Sequence, residues 1–161
     1  SYDLLEMMVK AVSLNGNFVL NFGPDGKGNI RSEETKLAKE IGDWMKINKE
    51  AIYGTSHSTV QKQDWGYFTQ KGNKLYMCVF NRPINNLLKI EIPKGGIIPM
   101  KAYFLENNQE TEIQNAGKNK RNSSLYHVAV PASYKTDRPF VIVLEMQENT
   151  KEEGEYQQAK I

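Results

Sequence analysis

The chain has 161 residues, enough for one ordinary domain and too few for a complete (β/α)8 barrel, which typically needs about 250. A hydrophobic fraction of 39% with 25% charged residues is that of a globular protein, and a net charge of +2 gives no single-sign field to favour nucleic acid as the main partner. No apolar run approaches the roughly 18 residues a membrane span needs, and the single cysteine, Cys78, excludes an internal disulfide.

Tyr2 to Leu14 carries Leu4, Leu5, Met8, Val9 and Val12 at helical spacing, which predicts one amphipathic helix. Asn15-Gly16 ends it as a C-cap pair, since both residue types tolerate positive φ. Asn17 to Phe22 follows as a short extended run. Its central Phe18-Val19-Leu20 suits a strand covered on both faces, as in a parallel sheet. Period two puts Asn17, Val19 and Asn21 on one face and Phe18, Leu20 and Phe22 on the other.

Asn21 is the unusual residue, because it sets a side-chain amide at the carboxyl end of this strand, just before a Gly23-Pro24 break. That end is where α/β folds keep their ligand sites. The loop Gly23 to Asn29 has a superficial likeness to a calcium loop, but Lys27 stands where an oxygen ligand is needed. Asp25 is expected to cap the turn before Gly26.

Ser32 is placed to cap a second helix, with Glu33 and Glu34 at the positive end of its dipole. Leu37, Ile41, Trp44, Met45 and Asn48 form one stripe, for which core packing is favoured over sugar stacking by Trp44. Ile52 to Thr55 leads out of this helix.

From about residue 56 the period changes from helical to two. Candidate strands are residues 65–70, 74–80, 87–92, 100–105, 110–115, 124–130 and 140–146, with Lys71-Gly72-Asn73 inside a hairpin joining the first two. Short strands at this spacing with no helix between them predict an antiparallel sandwich. The expected organisation is therefore 1–56, 57–146 and a loose Glu/Gln/Lys-rich tail over 147–161.

Two blocks of sequence carry a family resemblance. Asn17-Phe18-Val19-Leu20-Asn21-Phe22-Gly23-Pro24-Asp25-Gly26, with Ile41-Gly42-Asp43-Trp44 and Glu50-Ala51-Ile52-Tyr53-Gly54-Thr55, resembles the α-L-fucosidases. Phe68-Thr69-Gln70-Lys71-Gly72-Asn73-Lys74-Leu75-Tyr76 resembles the opening hairpin of that family's C-terminal sandwich. These are retaining glycoside hydrolases with a (β/α)8-like catalytic barrel followed by a β-sandwich, and the resemblance covers about residues 2 to 146.

It implies an α+β fragment, the last strand and helices of the barrel followed by the sandwich. It also implies a fucosylated glycan as substrate of the full enzyme and the remainder of the barrel as partner. No cofactor is implied, and a secreted, periplasmic or lysosomal setting is expected by resemblance only. The start at Ser1 inside a helical pattern reads as a piece of a longer protein.

Retaining glycosidases need two carboxyl groups roughly 5 Å apart. The resemblance places the family's nucleophilic aspartate and its acid/base upstream of Ser1, so no catalytic residue is assigned within this chain. Asn21 is the candidate substrate-binding residue, either hydrogen-bonding a sugar hydroxyl or orienting a carboxylate. The alternative is that it ties down the Gly23-Pro24 loop. Phe22 is a lesser candidate, as an apolar wall for a deoxy-sugar methyl, although period two turns it toward the helices.

His57 and His127 lack ligands at metal spacing, so no metal site is assigned. Cys78 between Met77 and Val79 reads as a buried inert thiol. Trp65, Tyr67, Tyr76, Tyr103 and Tyr126 are read as core or cross-strand residues in preference to a sugar platform. Asn122-Ser123-Ser124 has the form of an N-glycosylation acceptor, a tripeptide common by chance. The competing readings are a carbohydrate-binding sandwich and a purely structural docking domain.

Overall fold

Residues 76–80 and 140–144 are buried at every position, which a strand with one wet face does not allow. Both lie in a sheet covered on its two sides. The computed structural model describes residues 1–147, and its order is helix, extended segment, helix, then strands.

The helices are α1 (Tyr2–Ser13) and α2 (Ser32–Asn48), the latter followed by a 3-10 turn at Lys49–Ala51. The strands are β1 (Gly66–Lys71), β2 (Lys74–Val79), β3 (Leu87–Ile92), β4 (Ile98–Phe104), β5 (Glu110–Thr111), β6 (Ile113–Lys118), β7 (Ser124–Ala129) and β8 (Phe140–Gln147). They form a five-stranded sheet in the order β1-β2-β8-β4-β5 and a three-stranded sheet in the order β3-β7-β6, with antiparallel pairing throughout.

Alternation along the strands divides the interior into two cores. Leu75, Met77 and Val79 of β2 and Phe140, Ile142 and Leu144 of β8 face the second sheet, where they meet Leu88, Ile90 and Val128. Tyr76, Cys78, Val141 and Val143 face the other way, onto Leu5 and Val9 of α1 and Trp44 of α2. The molecule is thus three layers, with the larger sheet in the middle. Each fully buried aliphatic side chain contributes about 1.5–3 kcal/mol of transfer free energy. Trp44 is 2% exposed and its indole N–H donates to the Pro139 carbonyl at 2.8 Å, so it is a core residue with its one polar group satisfied.

Several expectations are corrected. Asn17 to Phe22 joins no sheet, because a strand exists only against a paired neighbour and no described strand hydrogen-bonds to it. The expected strand over 110–115 is two strands in different sheets, the chain crossing between them at Glu112. Ser32 is the first helical residue and makes no capping hydrogen bond. The position before it is Arg31, whose carbonyl accepts the Thr35 N–H at 3.0 Å. Gln147 belongs to β8 and not to the tail, while the expectation for 148–161 lies outside the described residues.

Candidate functional site

The candidate site is built on the connection between α1 and α2. Helix α1 closes with the Asn15 N–H donated to Val12 O at 3.0 Å and the Gly16 N–H donated to Ala11 O at 2.8 Å, the pair of bonds of a Schellman motif. Asn15, not Gly16, takes the left-handed conformation, at φ 60°. Its side chain then reaches 42 residues along the chain. Asn15 Oδ1 accepts the His57 N–H at 2.8 Å, and Asn15 Nδ2 lies 2.8 Å from His57 Nδ1. The start of the next segment is thereby fixed to the entry of the sandwich.

Beyond Gly16 the chain runs extended. Phe18, Leu20 and Phe22 are half-buried while Asn17, Val19 and Asn21 are exposed, so the expected period-two division of faces is present. The backbone ladder is not: among the described residues, no backbone group from Asn17 to Pro24 makes a backbone hydrogen bond. Val19 is 78% exposed. Phe18 and Asn17 line a cleft of about 450 Å³ whose other wall is Met8, Val12, Met45 and Ile52.

Asn21 makes no side-chain hydrogen bond among the described residues, so it does not tie down the following loop. That work falls to Asp25. Its Oδ1 accepts the N–H groups of Lys27 at 2.8 Å and Asn29 at 2.9 Å, and its own N–H donates to Asn29 O at 2.8 Å. These backbone donors hold the Asp25 carboxyl below the usual carboxylate range. The bonded pattern is that of a structural turn.

Other carboxylates are also engaged. Asp43 is bracketed by Lys39 at 2.6 Å and Lys46 at 2.9 Å, hydrogen bonds that bring its pKa down to about 2. Glu6 accepts the Tyr67 hydroxyl, and Glu34 pairs with Arg31. Among the described residues no group of three or more His, Cys, Asp or Glu side chains is placed to hold a metal ion. Nor is any described helix long and apolar enough to cross a membrane.

The aromatic residues of the sandwich form no platform. Tyr67, Tyr76 and Tyr103 are buried against the helices and Tyr126 packs on the inter-sheet core. Trp65, 3% exposed, donates its indole N–H to the Lys89 carbonyl at 2.8 Å and meets Phe68 edge-on. His127 is half-buried, opposite Lys89 and Gln114 on its neighbouring strands. Cys78 is fully buried, and desolvation pushes its thiol up to about 12, far from a reactive thiolate.

Two contacts escaped the sequence reading. The Asn15–His57 latch spans too many residues for any local pattern to signal it. Arg82 donates to Asn86 Oδ1 and to the carbonyls of Val130, Pro131 and Tyr134, and a lone arginine in a loop gives no hint of four acceptors.

Comparison with known proteins bears on both halves of the chain. Residues 1–50 match the family model described as alpha-L-fucosidase. An alpha-L-fucosidase of Dictyostelium discoideum is 36% identical over 98 residues, 58% of this chain and 21% of that protein. The human tissue alpha-L-fucosidase is 33% identical over 96 residues, 56% of this chain and 20% of that protein. The crystal structure of a GH29 alpha-L-fucosidase from Bacteroides thetaiotaomicron superposes with a TM-score of 0.81 at 37% identity, covering 91% of this chain and 32% of that one. This chain therefore spans about a fifth of the length of the curated relatives and about a third of the solved structure. In sequence and in fold it is similar to the α-L-fucosidases.

Proposed function

We propose that this chain is the C-terminal part of an α-L-fucosidase, in which residues 1–56 complete a catalytic (β/α)8-like barrel and residues 57–146 form the β-sandwich that supports it. The carrying observation is the extended segment Asn17–Phe22, set between two helices with neither edge paired. Helix, unpaired strand, helix is the order of a βα-barrel segment, and a strand with two open edges calls for a neighbour on each side. Those neighbours are the remaining barrel strands, which this chain does not contain.

In the complete enzyme the reaction is hydrolysis of a terminal α-linked L-fucose from a glycan, with retention of configuration. Retention needs a nucleophilic carboxylate and an acid/base carboxyl roughly 5 Å apart. Asp25, in the loop that follows the segment, and Asp43 of α2 are held in hydrogen bonds of their own, which supports placing both catalytic groups elsewhere in the enzyme. Asn21, exposed and unbonded at the carboxyl end of the segment, serves as a hydrogen-bonding residue toward the sugar or toward a catalytic carboxylate. Phe22, half-buried on the opposite face, serves as apolar support.

The test is hydrolysis of a chromogenic α-L-fucoside by the purified 161-residue chain. No release above buffer is expected. Measurable turnover would mean that the chain holds its own carboxyl pair and would overturn the reading. In the complete enzyme, Asn21→Ala is expected to lower kcat/KM by about tenfold, the loss of one net hydrogen bond.

A further inference from the structure

Asn15-Gly16 is the single Asn-Gly pair in the sequence. In that dipeptide the backbone nitrogen of glycine, unshielded by a Cβ, can attack the asparagine side chain. Gly16 N loses its proton and forms a bond to Asn15 Cγ, the Cγ–Nδ2 bond breaks, and ammonia leaves. Water then opens the cyclic imide at either carbonyl to give aspartate or isoaspartate. Nothing is oxidised or reduced, and the net change is exchange of NH3 for H2O, about 1 Da.

Both reacting groups are exposed to solvent, so burial does not protect them. Hydrogen bonds do. The Gly16 N–H is held on Ala11 O at 2.8 Å, which directs the nitrogen into the last turn of α1 and away from Cγ. The carboxamide is held by His57 at both ends, through Oδ1 on the His57 N–H and Nδ2 on Nδ1, each at 2.8 Å. Because the backbone N–H can only donate, Oδ1 must face it and Nδ2 must donate to Nδ1. His57 therefore carries its ring proton on Nε2. Swinging Cγ over the glycine nitrogen breaks all three bonds at once.

We propose that Asn15-Gly16 is a latent self-modification site, silenced by His57 and the Schellman turn, which converts separation of α1 from the sandwich entry into a permanent aspartate or isoaspartate. Neither product re-forms the latch as it stands. A carboxylate at position 15 cannot donate to His57 Nδ1 and pairs with it only when the ring proton moves to Nδ1, and isoaspartate lengthens the main chain by one methylene at the residue that must hold φ 60°.

The experiment follows modification at Asn15 by peptide mass mapping in mildly alkaline buffer, for the folded chain, the chain in urea, and His57→Ala. The folded wild type is expected to modify at least about tenfold more slowly than in urea, since reaction must await local opening. His57→Ala is expected to recover most of that gap while retaining the wild-type circular dichroism. Should that variant fail to fold, hydrogen exchange at the Gly16 amide of the wild type must be slowed by a factor similar to the modification. Equal rates in folded and urea-treated chain, an unchanged rate in folded His57→Ala, or a Gly16 amide that exchanges freely would each overturn the proposal.

Discussion

Glu50 Oε1 accepts the Tyr76 hydroxyl at 2.8 Å while also receiving the Lys74 ammonium at 2.9 Å, joining the end of the helical layer to the middle sheet. Lys74 and Tyr76, in that order, lower the Glu50 pKa. A carboxylate whose folded pKa lies below its unfolded value of about 4.3 adds stability at pH above that value and loses it as pH falls through the folded pKa. Glu50→Gln is therefore expected to unfold more easily than wild type at pH 7 and like wild type once pH is well below 4.3. Glu50 is 43% exposed, so solvent screening keeps the difference within about 1 kcal/mol. Urea melts of both proteins across this range check it, and a difference that persists in acid would contradict the assignment.

Gly66 admits no side chain. A Cβ built there falls 2.0 Å from the Cys78 carbonyl oxygen, a backbone atom of the paired strand that cannot rotate away. Gly66→Ala must push β1 off β2 at the start of the hairpin, at a cost of about 3 kcal/mol. Gly26→Ala is the control. Nothing lies within 4 Å of its Cβ and it lacks a positive φ, so its midpoint is expected within about 0.5 kcal/mol of wild type. Equal urea midpoints for the two variants would count against the close approach.

What the sequence made legible followed from whether the deciding contact was local. Strand β3 occupies the expected residues 87–92, because Leu88, Ile90 and Ile92 face in while Lys89 lies out, with Asn85-Asn86 and Pro93 marking its ends. The continuous run Tyr76–Phe80 carries the sign of a sheet covered on both faces, one by the second sheet and the other by the helices. The split of 110–115 was hidden, since a chain crossing between sheets keeps its alternation through Glu112. At the candidate site the exposed Asn21 and half-buried Phe22 follow from period two alone. What they would face in the proposed barrel is a long-range matter that no local rule supplies.

Arg82 is the fastening of the loop before β8. Its guanidinium reaches Tyr134 O at 2.6 Å, Pro131 O at 3.0 Å and Val130 O at 3.3 Å, while Nε donates to Asn86 Oδ1 at 2.8 Å. Lysine has one nitrogen and cannot meet these diverging acceptors. Arg82→Lys is expected to lose about 2 kcal/mol, most of it from the Val130 and Tyr134 carbonyls, since the Pro131 carbonyl keeps the Tyr134 N–H as a donor. The Tyr134 ring, stacked on Phe104 with centroids 4.1 Å apart, should loosen with the loop. Hydrogen exchange checks this. Faster exchange confined to residues 131–139 is the expected result, and a uniform rise across the chain would point to general destabilisation instead.

The extended segment predicts behaviour that a finished surface would not show. Val19 is 78% exposed on a stretch whose backbone donors and acceptors are unpaired, flanked by Leu14 at 72% and Ile30 at 52%. An open, apolar strand edge is a template for another chain, so the isolated protein is expected to self-associate as its concentration rises. Val19→Lys places a charge on that edge without touching either core. It should therefore suppress association while leaving the urea midpoint within about 0.5 kcal/mol of wild type. Sedimentation velocity over a concentration series checks both proteins. A wild-type chain that stays monomeric throughout would mean that the segment needs no partner, and the reading of it as one strand of a larger barrel would lose its main support.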